Sequence, residues 1–206
     1  VLRSLKHFLR ESWLLIAASF FFGLLIAATN AALSPRIEMN KVTKLTSLAA
    51  GLLTDAKRFV PLAEPVEVKT RGGKTEPVAV YKAVAGDEVV GWVFKVVGSG
   101  FADKIELVAA VDGPFEKLAG FDVLASNETP GFGDQIKEMS FREQFMGAPA
   151  DRFTLVSTGS RQEIDSTIVA ISGATVSSTA VVEAMNLYLP QIKEQLQQKG
   201  LIGDGN

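Results

Sequence analysis

The chain has 206 residues, 47% of them hydrophobic, a formal net charge of -2, no cysteine and one histidine. Without thiols it can hold no disulfide, thiolate zinc site or cysteine-ligated iron–sulfur cluster, and a lone histidine excludes a histidine metal cluster or Ser-His catalysis. Lys and Arg are interspersed with acids, so no basic patch is available to neutralise nucleic acid, and any electrons the chain handles must sit on a bound organic cofactor.

Residues 1–11 form a basic flank with Arg3, Lys6 and Arg10, and they include His7, read as an interfacial structural residue. Residues 12–33 follow without a charge and are almost wholly apolar from Trp13 onward. About 20 helical residues at ~1.5 Å each cross the ~30 Å hydrocarbon layer of a bilayer. A cleaved signal peptide starts in the same way, but its apolar core runs only ~7–15 residues, and the longer run favours an anchor. Basic residues crowd the front of the segment, whereas Arg36, Lys41 and Lys44 are spread more loosely behind it. That bias places the N-terminus inside and the rest of the chain outside the cytoplasm.

Ser34-Pro35 reads as the N-cap and first position of a juxtamembrane helix over 34–60, with Ile37, Val42, Leu45, Leu48, Ala49, Leu52 and Leu53 at helical spacing. Residues 61–206 then form one domain. A polar stretch over 61–77 reads as connecting structure with a short extended piece at 66–68. Strands are predicted over 78–84, 89–97, 105–111 and 120–125, with Gly86-Asp87 turning the first pair. Phe141, Phe145 and Met146 suggest a short helix, and 153–156 and 164–171 further strand. A final helix runs from near Thr175 towards Lys199-Gly200, and Pro190 is expected to kink or divide it. Strands first with helices at the ends predict an α+β domain on a mostly antiparallel sheet.

Some constellations point to ordinary structure. Asp103, Glu106, Asp112 and Glu116 invite a paired-carboxylate reading, but strand alternation sends Asp103 and Glu106 to opposite faces, as solvated acids would be. Trp92 and Phe94 alternate with Val93 in a strand and read as packing. Neither Gly98-x-Gly100 nor Gly131-x-Gly133 has the strand–turn–helix context of a dinucleotide fingerprint.

The run Ser172-Gly173-Ala174-Thr175-Val176-Ser177-Ser178 stands just before a helical pattern of Val176, Ala180, Val181, Ala184, Leu187, Tyr188 and Ile192. A helix start offers unpartnered N–H groups and the positive end of the macrodipole, both suited to a phosphate. Gly173 and Ala174 leave the backbone open to close approach, Ser172 can cap, and Ser177 and Ser178 can donate further hydrogen bonds. Taken alone, the run reads equally as a capped turn. A second element, Glu128-Thr129-Pro130-Gly131-Phe132-Gly133, combines a fixed proline dihedral with two glycines free to take positive φ, so its backbone can approach a flat ligand. Alone, it is a Pro-Gly turn with a solvated Glu.

Together the two elements resemble the S-G-A-T-x-[ST]-[ST] and E-T-P-G-x-G signatures of the FMN-binding domain in the G subunit of the Rnf electron-transport complex. They are similar also to the C subunit of the sodium-pumping NADH:quinone reductase. Gly98-Ser99-Gly100-Phe101 and the strand from Ile105 to Asp112 resemble the glycine loop and buried strand of the same family. The resemblance implies FMN esterified through its phosphate to Thr175, within a site formed by Ser172, Gly173, Ala174, Val176, Ser177, Ser178, Glu128, Thr129, Pro130 and Gly131. It leaves Glu128 open between a flavin hydrogen-bond partner and a loop stabiliser. The family often carries an acid a few positions before S-G-A-T, where this chain has Ile168, Val169 and Ala170, the nearest acid being Asp165.

The implied protein is a single-pass subunit of the bacterial cytoplasmic membrane with an extracytoplasmic flavin domain. It relays electrons within an ion-translocating ferredoxin:NAD complex and has no turnover alone. Its partners are the other membrane subunits, membrane lipid and, during maturation, a flavin transferase. The short chain and the ending Ser177-Ser178 favour the Rnf protein over its quinone-reductase counterpart, and a flavin-free anchored assembly module is the alternative of another class.

Overall fold

The structure, a computed structural model, describes residues 2–203, with side chains from Ser12 onward except at positions 35 and 38. Arg3, Lys6, His7 and Arg10 therefore lie outside the described side chains. The chain divides into two compact units, residues 1–43 and 44–206.

Helix α1 (Leu2–Leu52) supplies the whole described part of the first unit and the start of the second. Its Ser12–Ser34 segment is long and apolar enough to cross a membrane, and Trp13, Phe20, Phe21, Phe22 and Ile26 are all exposed. Contiguous apolar surface of that extent marks a membrane or protein contact. The separate helix predicted over 34–60 is not what forms. α1 passes unbroken through Ser34 and Pro35, ends at Leu52, and gives way to strand β1 (Arg58–Pro61). One proline costs a helix a single hydrogen bond and a local clash, about 3 kcal/mol, which helix-favouring runs on both sides offset. Thr54 and Asp55, whose side chains compete for backbone hydrogen bonds, mark the true end.

In the second unit the polar stretch after residue 61 is more ordered than its composition suggests. It folds into an antiparallel pair, β2 (Val66–Lys69) with β3 (Thr75–Val78). The main sheet continues with β4 (Val80–Ala85), β5 (Glu88–Ser99), β6 (Lys104–Asp112) and β7 (Leu118–Ala125), close to the predicted strands. Its order is β1-β4-β5-β6-β7, antiparallel throughout. Beyond it come a 3-10 turn at Gly133–Lys137, the short helix α2 (Met139–Arg142), a parallel pair β8 (Thr154–Val156) and β9 (Thr167–Val169), and helix α3 (Thr175–Gln198). The result is an α+β domain, as the run of strands before helices implies.

The central strands are buried on both faces, so alternation divides their residues between two cores. Trp92, Phe94, Val96, Ile105, Leu107, Ala109 and Val111 face α3 and its Val181, Met185, Leu189 and Ile192. Val93, Val108 and Ala110 face the last turns of α1 through Leu45 and Ala49. Trp92 and Phe94 are thus packing residues, and the Trp92 indole N–H donates to the Gly113 carbonyl at 3.0 Å. Glu106 lies beside Lys95 at 3.4 Å, away from Asp103, so no carboxylate pair forms.

Two features hold α3 against the sheet. At Gly98 on β5, a Cβ would come within 2.6 Å of the Ala180 carbonyl oxygen, so the helix backbone rests directly on the strand. Farther along, the amides of Gln191 and Gln195, one turn apart, bond the N–H and C=O groups of Lys69 and Glu67 on β2, much as another strand would. A strand edge is thereby satisfied by side chains. Pro190 does not divide the helix, which is continuous over 24 residues.

At one end of the sheet Phe121, Phe141, Phe145 and Phe153 form an aromatic cluster, with Phe145 having ring centroids 5.0, 5.5 and 5.3 Å from the other three. Phe145 is fully buried at its centre. Phe145→Ala should lower stability by about 3–5 kcal/mol through lost transfer energy and an unfilled cavity. Denaturant unfolding of the purified protein followed by tryptophan emission checks this.

Candidate functional site

Antiparallel pairing brings the tip of the β5–β6 turn next to the loop that leaves β7. Ser99 pairs with Lys104 and Glu106 with Ala125, so residues 100–103 and 128–133 emerge at the same sheet end. The α3 start arrives there too, because the helix rests on β5 at Gly98.

Glu128 joins these three segments. It is only 5% exposed, and its carboxylate accepts from the backbone N–H of Phe101 at 3.1 Å and of Ala102 at 2.9 Å, and from the Ser177 hydroxyl. Glycines flank it on both sides. A Cβ at Gly100 would stand 2.5 Å from one carboxylate oxygen, and a Cβ at Gly133 2.6 Å from the other and 2.5 Å from the Ser177 oxygen. Gly133 is thus required for space, whereas Gly131 is the residue of this loop at positive φ, +78°. Burial pushes the Glu128 carboxyl up, but the hydrogen bonds from Ser177, Ala102, Phe101 and Asp103 outweigh it and hold the group below the ordinary carboxylate value.

The α3 start is built differently from its prediction. Ser172 is exposed and stands two positions before the N-cap, which is Ala174 and carries no side-chain cap. Gly173 takes φ +78° to make the turn, and the Ala174 N–H donates to Ile171 at 3.0 Å. Ser178 is wholly buried, accepting from the Ile171 N–H and donating to the Ala174 carbonyl, each at 3.0 Å. It ties the turn to the helix. The N–H groups of Thr175, Val176 and Ser177 take no acceptor among the described residues, as expected for an uncapped first turn. The exposed Thr175 hydroxyl likewise has no protein partner among them.

These segments enclose a cleft of about 460 Å³ lined by Phe101, Glu128, Thr129, Phe132, Gly133, Gly173, Ala174, Thr175, Val176 and Ser177. Seven of the predicted site residues therefore meet in one place. Pro130 and Gly131 stay in the loop behind, and Ser172 and Ser178 are off the walls. Three wall residues were not assigned to the site from sequence: Gly133 and two aromatics, Phe101 and Phe132, respectively 73% and 58% exposed. The signal for the two aromatics is a large ring following glycine in a loop, where no strand alternation offers it a core face. Asp165, the acid nearest the S-G-A-T run, accepts from the Thr167 N–H and lies off the cleft.

The residues present fit FMN. Three unpartnered N–H groups and a free hydroxyl suit a phosphate, Phe101, Phe132 and Val176 offer apolar surface to a ring system, and the volume is that of a small-molecule site.

Residues 100–189 match the FMN-binding domain family. The G subunit of the proton-translocating ferredoxin:NAD(+) oxidoreductase complex of Clostridium ljungdahlii is 31% identical over 84% of this chain and 85% of its own length. The G subunit of the ion-translocating oxidoreductase complex of Methanosarcina acetivorans is 33% identical over 68% of this chain and 73% of its own. The crystal structure of Shewanella oneidensis NqrC superposes with a TM-score of 0.53 over 70% of this chain and 73% of that one, and at 20% identity this likeness concerns the fold. The chain belongs to the family of G subunits of Rnf ion-translocating oxidoreductase complexes.

Because Glu128 has a lowered carboxyl pKa, its stabilising contribution is complete above the unfolded value of ~4.3 and is lost as pH falls through the folded value. The melting temperature of the purified protein should drop on acidification below about pH 4.3, and Glu128→Gln should flatten that drop. At neutral pH the same substitution should cost about 1–3 kcal/mol, since its amide sets an N–H against backbone donors.

Proposed function

We propose that this chain is a membrane-anchored flavoprotein subunit that carries FMN as a phosphoester on Thr175 and relays electrons between neighbouring subunits of an Rnf-type ferredoxin:NAD oxidoreductase complex. The observation that carries the reading is the Thr175 hydroxyl at the first position of α3, with no protein partner among the described residues and beside three N–H groups that have none among them either. The relatives from ferredoxin:NAD and ion-translocating complexes support the wider role.

Each element of the cleft then has a task. The N–H groups of Thr175, Val176 and Ser177 hold the phosphate with the helix dipole behind them. Phe101, Phe132 and Val176 cover the ring and limit water, while Glu128 and Ser177 hold the two walls in register. Bound FMN supplies the redox chemistry, which the thiol-free chain cannot. An ester suits a relay outside the cytoplasm, where free FMN is not resupplied. The Ser12–Ser34 segment would anchor the protein in the membrane, with the basic flank on the cytoplasmic side and the flavin domain on the other. A flavin transferase would form the ester during maturation.

Denaturing electrophoresis under ultraviolet light, on protein made together with a flavin transferase, should show a fluorescent band that vanishes in Thr175→Val. A dark wild-type band would sink the ester and favour a flavin-free assembly module. Mass spectrometry of the fluorescent band should place the added mass on the peptide holding Thr175.

A further inference from the structure

The cleft has an unusual charge for a phosphate site. None of its ten lining residues is Lys or Arg, and one is the Glu128 carboxylate. That carboxylate is held below the ordinary pKa range, so it is charged at neutral pH. The loops behind it add Asp103, which accepts from the Asn127 amide, and Asp134, which accepts from the Gly131 N–H. Lys104, next in the chain to Asp103, lines a different pocket of about 240 Å³ together with Arg71. Arg71 is itself paired with Glu183. What favours an anion in the cleft is the α3 N-terminus, equivalent to about half a positive charge.

Free FMN carries a phosphomonoester of about -1.5 to -2 at pH 7, whereas a phosphate esterified at both ends keeps one negative charge. The Glu128 carboxylate opposes the attraction of the helix end for an anion, and its repulsion grows with the charge on the ligand. The apolar walls, Phe101, Phe132 and Val176, are indifferent to that charge.

We propose that Glu128 makes the cleft select against the free phosphomonoester: the empty site takes an uncharged flavin at least as well as FMN, and keeps the phosphate only as the Thr175 diester. The proposal rests on the flavin-ester reading and deepens it. It assigns affinity to the ring-covering residues, retention to the covalent bond, and discrimination between charge states to Glu128. Free FMN would then not block the site before the ester is made.

The test is titration of the Thr175→Val protein with riboflavin and with FMN, each followed by quenching of flavin fluorescence. Riboflavin should bind as tightly as FMN or more tightly, and raising ionic strength from about 0.05 to about 0.5 M should tighten FMN relative to riboflavin by screening the repulsion. Glu128→Gln in the same background should tighten FMN relative to riboflavin by about fivefold or more, because a change in wall spacing acts on both ligands whereas the lost charge acts on FMN alone. The salt comparison needs no second substitution, so it stands even if Glu128→Gln fails to fold. FMN binding tighter than riboflavin, FMN weakened by salt, or no riboflavin binding would each overturn the proposal. A fluorescent wild-type band beside any of these results would leave the ester reading intact, whereas a dark band would remove that reading itself.

Discussion

The buried Glu128 carboxylate is the constraint on which the site depends. It takes hydrogen bonds from two backbone N–H groups of the β5–β6 turn and from a serine in the first turn of α3, while belonging to neither. Charge-assisted bonds of this kind are about twice as strong as neutral ones, and removing the acceptor would leave buried donors unpaired. Two glycines make the arrangement possible, since a Cβ at either would overlap the carboxylate. One side chain thus sets the spacing between the aromatic wall at Phe101 and the hydroxyl at Thr175.

The rest of the unit serves to bring these pieces within reach. Antiparallel pairing of β5, β6 and β7 puts two loops at one sheet end, and the contact of Ala180 with Gly98 fixes where α3 begins. The glutamine pair on β2 and the double core around β5 and β6 keep the helix from sliding. A phosphate attached at an uncapped helix start would consequently be held by backbone that cannot readily move. Precision here comes from packing, with few polar side chains in the cleft itself.

A site of this composition separates two tasks that many cofactor sites merge. Cation-rich pockets hold a phosphate by charge. Here the lining is apolar or glycine apart from three hydroxyl residues and one carboxylate, the charged group is negative, and Thr175 is exposed. Such a cleft would suit the ester proposed for Thr175, since a ligand secured by a bond needs no cation to keep it. The long apolar segment of α1 fits the same proposal, because a tether would keep a relay close to its partners.

Much of this could be read from the chain alone. Alternation in Trp92-Val93-Phe94 and the apolar run from Ile105 to Val111 predicted the central strands, since such patterning is local and strong, whereas their burial on both faces came only with the packing of α1 and α3. The glycine and hydroxyl signatures at Glu128 and Thr175 were also legible, as was the apolar segment at 12–33. Other features had only weak local signals. Val66–Lys69 and Thr75–Val78 pair because glutamines 122 and 128 positions away satisfy one edge. The Ser34-Pro35 helix signal was overridden by its flanks, and Ser172 lost the cap to Ala174 because Ser178 already ties that turn from inside. The sequence by itself determined where the main strands run and that glycines and hydroxyls gather at the α3 start, because those depend on near-neighbour chemistry. Only the tertiary structure decided that Glu128 braces the walls, that Phe101 and Phe132 flank the cleft, and that no Lys or Arg is among its described lining residues. Those outcomes depend on which distant loops the sheet register sets side by side.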